Sequence, residues 1–174
     1  MTFEIHSDIT NRSMTIASRA MRKVLRRKRS ILWAVFGWSV FFINALLLIP
    51  FDGEPFTLDA RTVISLLVEV MLLSVLLFQD RFNGRIACKN TLAGTKDYHV
   101  VFGEESYTVV TEVTTSTFRY ELIDAMAESQ DYIIFLMKKR YAQPLDKRTL
   151  TGGTAEEFKR FLEEKTGKTF RHVK

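Results

Sequence analysis

The chain reads as an α+β protein: a two-helix transmembrane hairpin followed by a cytoplasmic antiparallel β meander capped by a C-terminal helix. Three observations predict this class. Residues 31–50 hold no charge at all. A second apolar block, residues 62–78, follows after a short acidic connection. Beyond residue 97, short runs alternate apolar and polar side chains ahead of a capped amphipathic helix.

Whole-chain averages hide this arrangement. The 174 residues carry a net charge of +5 and are 47% apolar and 26% charged, values of an ordinary soluble domain. They exclude a collagenous or wholly disordered chain, and a single cysteine excludes a disulfide framework or a multi-cysteine zinc site. Divided along the chain, residues 1–30 are net +6, residues 51–61 net −2 and residues 80–174 net +2. Three segments result: a basic amino-terminal cytoplasmic arm (1–30), the hairpin (31–79) and a cytoplasmic domain (80–174).

In the arm, Phe3 and Ile5 suggest a brief strand or a segment lying against the membrane. From Thr10 the spacing of Met14, Ala17, Met21, Val24 and Leu25 is helical, with Thr10 or Asn11 as its cap. No proline or glycine intervenes before Gly37, so the helix is expected to run straight into the first span. Arg22, Lys23, Arg26, Arg27, Lys28 and Arg29 form a juxtamembrane cluster. Such a cluster sets topology, and facing anionic lipid it gains about 1 kcal/mol per charge. It lacks the interleaved aromatics that would stack bases, so no nucleic-acid partner is expected.

The first span has sixteen apolar residues in twenty; as a helix it is about 30 Å long, the thickness of a bilayer core. The second has thirteen in seventeen, with Glu69 at its centre. Its twelve Val, Ile, Leu and Phe residues contribute roughly −6 kcal/mol of insertion energy against about +3 for the acid, so insertion wins. Basic residues precede the first span, and Arg81, Arg85 and Lys89 follow the second, while the connection is acidic. The positive-inside rule then predicts a two-span protein of the cell (inner) membrane with both termini cytoplasmic. An n-region and h-region this long, with no small-residue cleavage site after the run, read as a retained anchor rather than a signal peptide. Residues 80–97 stay open between strand, linker and a continuation of the second helix.

The cytoplasmic part reads as strands at 98–102, from Tyr107 towards Val113, at 118–122, at 125–128, at the continuous apolar run 132–137, and from 141 to 150. Pro144 confines that last one to an edge or bulge. Five or six strands form the meander. Thr154 and Glu157 make a capping box, Phe158, Phe161 and Leu162 make one apolar face, and Gly167 stops the helix.

The segments YHVVFGEESYTVVTEVTTSTFRYELIDAMAES, DYIIFLMKKRYAQPLDKRTL and GGTAEEFKRFLEEKTG, placed after two apolar helices, resemble the YcxB-like family of small bacterial membrane proteins. The likeness is best over residues 98–166, and the hairpin matches in layout. In that family a proline directly followed by a basic pair ends the last strand; here Leu145-Asp146 intervenes between Pro144 and Lys147-Arg148. The resemblance implies a carboxy-terminal domain similar to a bacterial pleckstrin-homology fold, and no established activity.

Candidate chemistry is sparse. Glu69 is an ionisable residue inside a span, a default functional site. Asn44 lies six residues inside Pro50 and Glu69 seven inside Thr62, both about 9–10 Å deep. They form an intramembrane polar pair, placed to hydrogen-bond across the hairpin or across a dimer. His6, His99 and His172 are scattered, none at metal-ligand spacing with another His, Cys or acid, so no metal and no cofactor is expected. Cys88 reads as a plain reduced thiol. No nucleophile elbow or phosphate-binding loop is present, so no catalytic residue is assigned. Thr151-Gly152-Gly153-Thr154 reads as a turn, and Lys138, Lys139, Arg140, Lys147 and Arg148 as a solvated basic rim. The expected function is a non-enzymatic membrane protein anchoring an interaction module for protein or lipid headgroups. The alternative is an oligomeric transport or pore-forming subunit that uses Glu69. Expected partners are anionic lipids, with either a second copy or another protein.

Overall fold

The computed structural model describes residues 2–48, 59–138 and 141–173. The acidic connection between the spans and Lys139-Arg140 fall largely or wholly outside them. The elements in order are β1 (Phe3–Asp8), α1 (Asn11–Ala20), a π-helical turn (Met21–Leu25), α2 (Arg27–Leu47), α3 (Ala60–Lys89), β2 (Asp97–Phe102), β3 (Ser106–Thr111), β4 (Thr115–Arg119), β5 (Ile123–Glu128), β6 (Tyr132–Met137), β7 (Tyr141–Asp146), α4 (Ala155–Thr166) and β8 (Phe170–His172). The α+β class holds: two long apolar helices, antiparallel sheets and a carboxy-terminal helix.

The chain divides into two units, but not at the boundaries expected. One is residues 27–79; the other joins residues 1–26 to residues 80–174. The amino-terminal arm is therefore part of the same unit as residues 80–174. β1 pairs antiparallel with β2, Phe3 opposite Phe102 and Asp8 opposite Asp97, and its inward residues Phe3 and Ile5 are 2% and 1% exposed. Burial of these two side chains, each favourable by about 2–3 kcal/mol, outcompetes a position along a bilayer surface.

The expected single meander is two four-stranded sheets. The first runs β1-β2-β3-β4 and the second β7-β6-β5-β8. Strands 123–128 and 115–119 lie in different sheets, because a 3₁₀ turn at Tyr120–Leu122 breaks the alternation between them. After α4 the chain folds back at Phe170 as β8, parallel to β5. β6 is central, with residues 132–136 all buried. Ile133 and Phe135 enter the core between the sheets, while Tyr132, Ile134 and Leu136 pack on Ala17, Ala20 and Met21 at the α1 side. A strand covered on both faces reads as an unbroken apolar run.

α1 starts at Thr10, whose hydroxyl accepts from the Ser13 amide in a capping box. It does not run smoothly into α2. The π turn at Met21–Leu25 and a non-helical Arg26 separate them. There the Arg22 guanidinium donates from Nε and Nη2 to both carboxylate oxygens of Asp80, at 2.8 and 2.6 Å. α1 also lies close on the last turns of α3: a Cβ at Gly84 would stand 2.6 Å from the Thr15 backbone nitrogen. Residues 80–89 thus continue the second apolar helix and act as a packing face for α1.

In the 27–79 unit, α2 and the first part of α3 have lengths and compositions sufficient to cross a membrane. Gly37 admits Leu76, whose Cδ2 would be 2.6 Å from a Cβ there. Most apolar side chains of this unit point outward; Leu32, Leu67 and Met71 are 65–70% exposed. A helix apolar on every side suits the core of a larger assembly or a membrane.

Candidate functional site

α4 closes one side of the sandwich. Thr154 and Glu157 cap its start reciprocally, and Gly167, at φ 64, ends it in the left-handed conformation. Phe158 is fully buried, with its ring 5.2 Å from Phe3 and 4.8 Å from Phe102, and Phe161 meets Tyr120 at 6.0 Å.

No residue of α4 lines the other notable opening. Between the β3–β4 edge and the β6–β7 turn the sheets part over a cavity of about 730 Å³. Its walls are Val109 and Phe118 from the first sheet and Met137, Ala142, Gln143 and Pro144 from the second. Ile9, Met14 and Leu92 supply a further side. The rim is apolar too: Leu92 is 75% and Tyr141 65% exposed. Deeper in, Tyr98 is buried and its hydroxyl donates to the Pro144 carbonyl; burial raises that phenol well above its ordinary pKa, so it stays a neutral donor. The one charged residue among the described lining residues is Lys138. It is also the one described non-glycine residue with positive φ, 47°.

A second, polar cavity of about 490 Å³ lies on the α1 side, lined by Arg12, Arg19, Glu128, Asp131, Lys147 and His172 among others. Its charges are matched internally. Glu128 meets Lys147 at 2.9 Å, Lys159 at 3.2 Å and His172 at 3.6 Å. Burial pushes the Glu128 carboxyl upward, but hydrogen bonds from Lys147 and Lys159 outweigh it and hold the group below the usual carboxylate range. Arg148 is likewise held by Asp146 at 2.6 Å. Of the residues read as a solvated rim, Lys147 is thus packed against Glu128, whereas Arg148 stays exposed.

The histidines require a correction. Strand pairing brings His6 Nε2 to 3.1 Å from Asp97 Oδ1 and 3.9 Å from Asp8 Oδ1. The three donor atoms lie close enough to hold one metal ion. All three residues are exposed, and both carboxylates approach the same His6 nitrogen. The missed signal was the His6-x-Asp8 alternation, which puts both on one strand face; Asp97 is remote in sequence.

The other predicted residues divide clearly. Of the basic cluster, Arg22 is not lipid-facing, because Asp80 holds its guanidinium and raises its pKa. Lys23 and Arg26 are exposed but engaged. Arg27, Lys28 and Arg29 are exposed at the start of α2. Glu69 is 7% exposed, and counting along both helices from the Gly37–Leu76 contact sets Asn44 at its level. The expected bond between them is nevertheless not made within one hairpin: neither Glu69 oxygen has a hydrogen-bond partner. Cys88 Sγ is 3.7 Å from the Ile9 carbonyl and half-buried.

Fold and cavity together define a class: an α+β sandwich, open on one side, attached to two helices long and apolar enough to span a membrane. Residues 102–162 match the family model described as YcxB-like protein. The resemblance read from the sequence thus holds over that segment, from the end of β2 to Leu162 in α4. No curated protein matches the chain by sequence.

Proposed function

We propose that the protein is a non-enzymatic binding protein of the bacterial inner membrane, in which a two-span hairpin anchors a pleckstrin-homology-like module with both termini in the cytoplasm. The observation that carries this reading is the cavity on the open side of the sandwich. Its 730 Å³ falls within the roughly 300–1,000 Å³ of small-molecule sites, and its walls are carbon with a few hydroxyls and one lysine, a lining for binding rather than for proton transfer or nucleophilic attack. Two stacked antiparallel sheets closed by a carboxy-terminal helix support the pleckstrin-homology likeness. Arg27, Lys28 and Arg29 ahead of the first span, and Arg81, Arg85 and Lys89 after the second, support the orientation.

Two measurements test it on the full chain. Single cysteines placed at residues 2 and 171, both exposed, in a Cys88→Ser background should react with an impermeant maleimide only in inverted vesicles; reaction in right-side-out cells would overturn the topology. Native mass spectrometry of protein taken from membranes into zwitterionic nanodiscs should find a retained ligand or protein partner. Gln143→Trp should displace it, because Gln143 lines the cavity opposite Phe135. A chain that carries nothing, whether or not Gln143 is replaced, would refute the binding role.

The second reading, an oligomeric transport subunit, is favoured by the buried carboxylate of Glu69, which has no partner. A large ring in the same spectra, together with an ion flux lost in Glu69→Gln, would establish it; normal assembly of Glu69→Gln without any flux leaves Glu69 a packing residue.

A further inference from the structure

We propose that the cavity takes anionic single-chain amphiphiles, the alkyl chain lying along its wall and the head group meeting Lys138. This rests on the binding role just proposed and names the ligand class. The chain-binding surface is Val109, Phe118, Met137 and Pro144. The hydroxyl deep in the site, that of Tyr98, already donates to the Pro144 carbonyl; of the polar groups that remain, the Gln143 amide in the wall is neutral and Lys138 at the rim carries the charge that can orient an anion.

There the lining has a single charge, Lys138, with no ion-pair partner among the described residues. Its backbone is left-handed at φ 47°, a conformation that costs a lysine and that asparagine or glycine would adopt more easily. Strain of this kind gathers at ligand clamps. An apolar cleft with a cationic rim matches a molecule with one apolar end and one anionic end. Fatty acids and lysophospholipids share that chemistry.

The test uses the full chain in zwitterionic nanodiscs and three diazirine probes of equal chain length: hexadecanoate, hexadecyl lysophosphatidate and hexadecanol. Labelled peptides are mapped after photolysis. Either anionic probe should label peptides covering residues 92–98, 109–122 or 141–146 saturably; the one that labels better identifies the source. Unlabelled competitors should weaken about fourfold for each methylene removed. Hexadecanol should bind up to about fivefold more weakly, the scale of an exposed charge pair. Lys138→Asn should erase that difference; asparagine suits the left-handed turn, so the variant folds.

Equal labelling by hexadecanol and hexadecanoate would overturn the anionic preference while leaving the binding role intact. Labelling unchanged by Gln143→Trp, or confined to hairpin peptides, would overturn the site. Crosslinks from cavity residues to a second copy would replace the amphiphile with the protein itself.

Discussion

Phe3→Ala should loosen the whole sandwich, although Phe3 lies some hundred residues from the strand it pairs with. Its side chain is 2% exposed and its ring sits 5.2 Å from Phe158 and 5.3 Å from Phe161. It is thus the contact between β1 and the helix that closes the core. Truncating a buried phenylalanine costs about 3–5 kcal/mol, a large share of the roughly 5–15 kcal/mol stability of a domain. At 3 kcal/mol, amides that exchange only through opening of this unit should exchange about 150-fold faster. Hydrogen exchange on the full chain in nanodiscs reads this directly in the core strands β2 and β6. Glu4→Ala is the control on the same strand, because Glu4 faces outward and its pairing with His99 at 3.2 Å is an exposed one worth at most about 1 kcal/mol. If Phe3→Ala changed β2 and β6 exchange no more than Glu4→Ala does, the amino-terminal strand would not belong to the core and the architecture would be wrong.

Gly84→Ala should separate α1 from α3, because its Cβ would press on the Thr15 backbone 2.6 Å away. A cost of about 1–3 kcal/mol should lower the thermal midpoint of the tyrosine near-UV signal, and a wild-type midpoint would sink the argument. Asp80→Asn removes the charge that Arg22 grips at 2.6 Å. It should cost about 1–3 kcal/mol and speed exchange in α1 first; unchanged α1 protection would show the pair to be idle. Glu128 provides a pH test. Its folded-state pKa lies below its unfolded value, so the unfolded chain binds more protons, and the stabilisation is complete above the ordinary carboxylate range and lost as pH falls through the folded value. The stability gap between wild type and Glu128→Gln should therefore be widest near neutral pH and narrow below about pH 4; urea melts showing the same gap at pH 3 and pH 7 would contradict it.

Much of this fold is legible residue by residue. A cap at Thr10 or Asn11, the capping box at Thr154, the stop at Gly167 and the run of β6 were all visible, because caps, left-handed glycines and apolar periodicity act over a few residues. The break at Tyr120–Leu122 was not, since Phe118, Tyr120 and Leu122 keep a strand-like alternation through it. Nor was the π turn that parts α1 from α2. No glycine or proline marks it, and it falls beside the ion pair with Asp80, fifty-eight positions away.

The candidate site was less legible than the fold. Lys138 was seen as one of a basic group, but its place at the rim of an apolar cleft depends on β3, β4 and β7 converging there. Counting sets Asn44 and Glu69 at one level, yet Glu69 makes no hydrogen bond within the chain, because depth along two helices says nothing about which way two side chains turn.

By itself, the order of residues determined which segments are apolar enough to enter a membrane, where charge flanks them and what most local elements are. These are sums over neighbouring residues, and neighbours are what a sequence displays. Only the tertiary structure decided that β1 completes a sheet made mainly by residues after the hairpin, that Asp80 claims Arg22, that His6 meets Asp97 and that one side of the sandwich stays open. Each depends on pairing between distant segments, whose free energy comes from cross-strand hydrogen bonds and mutual burial that neither segment records alone.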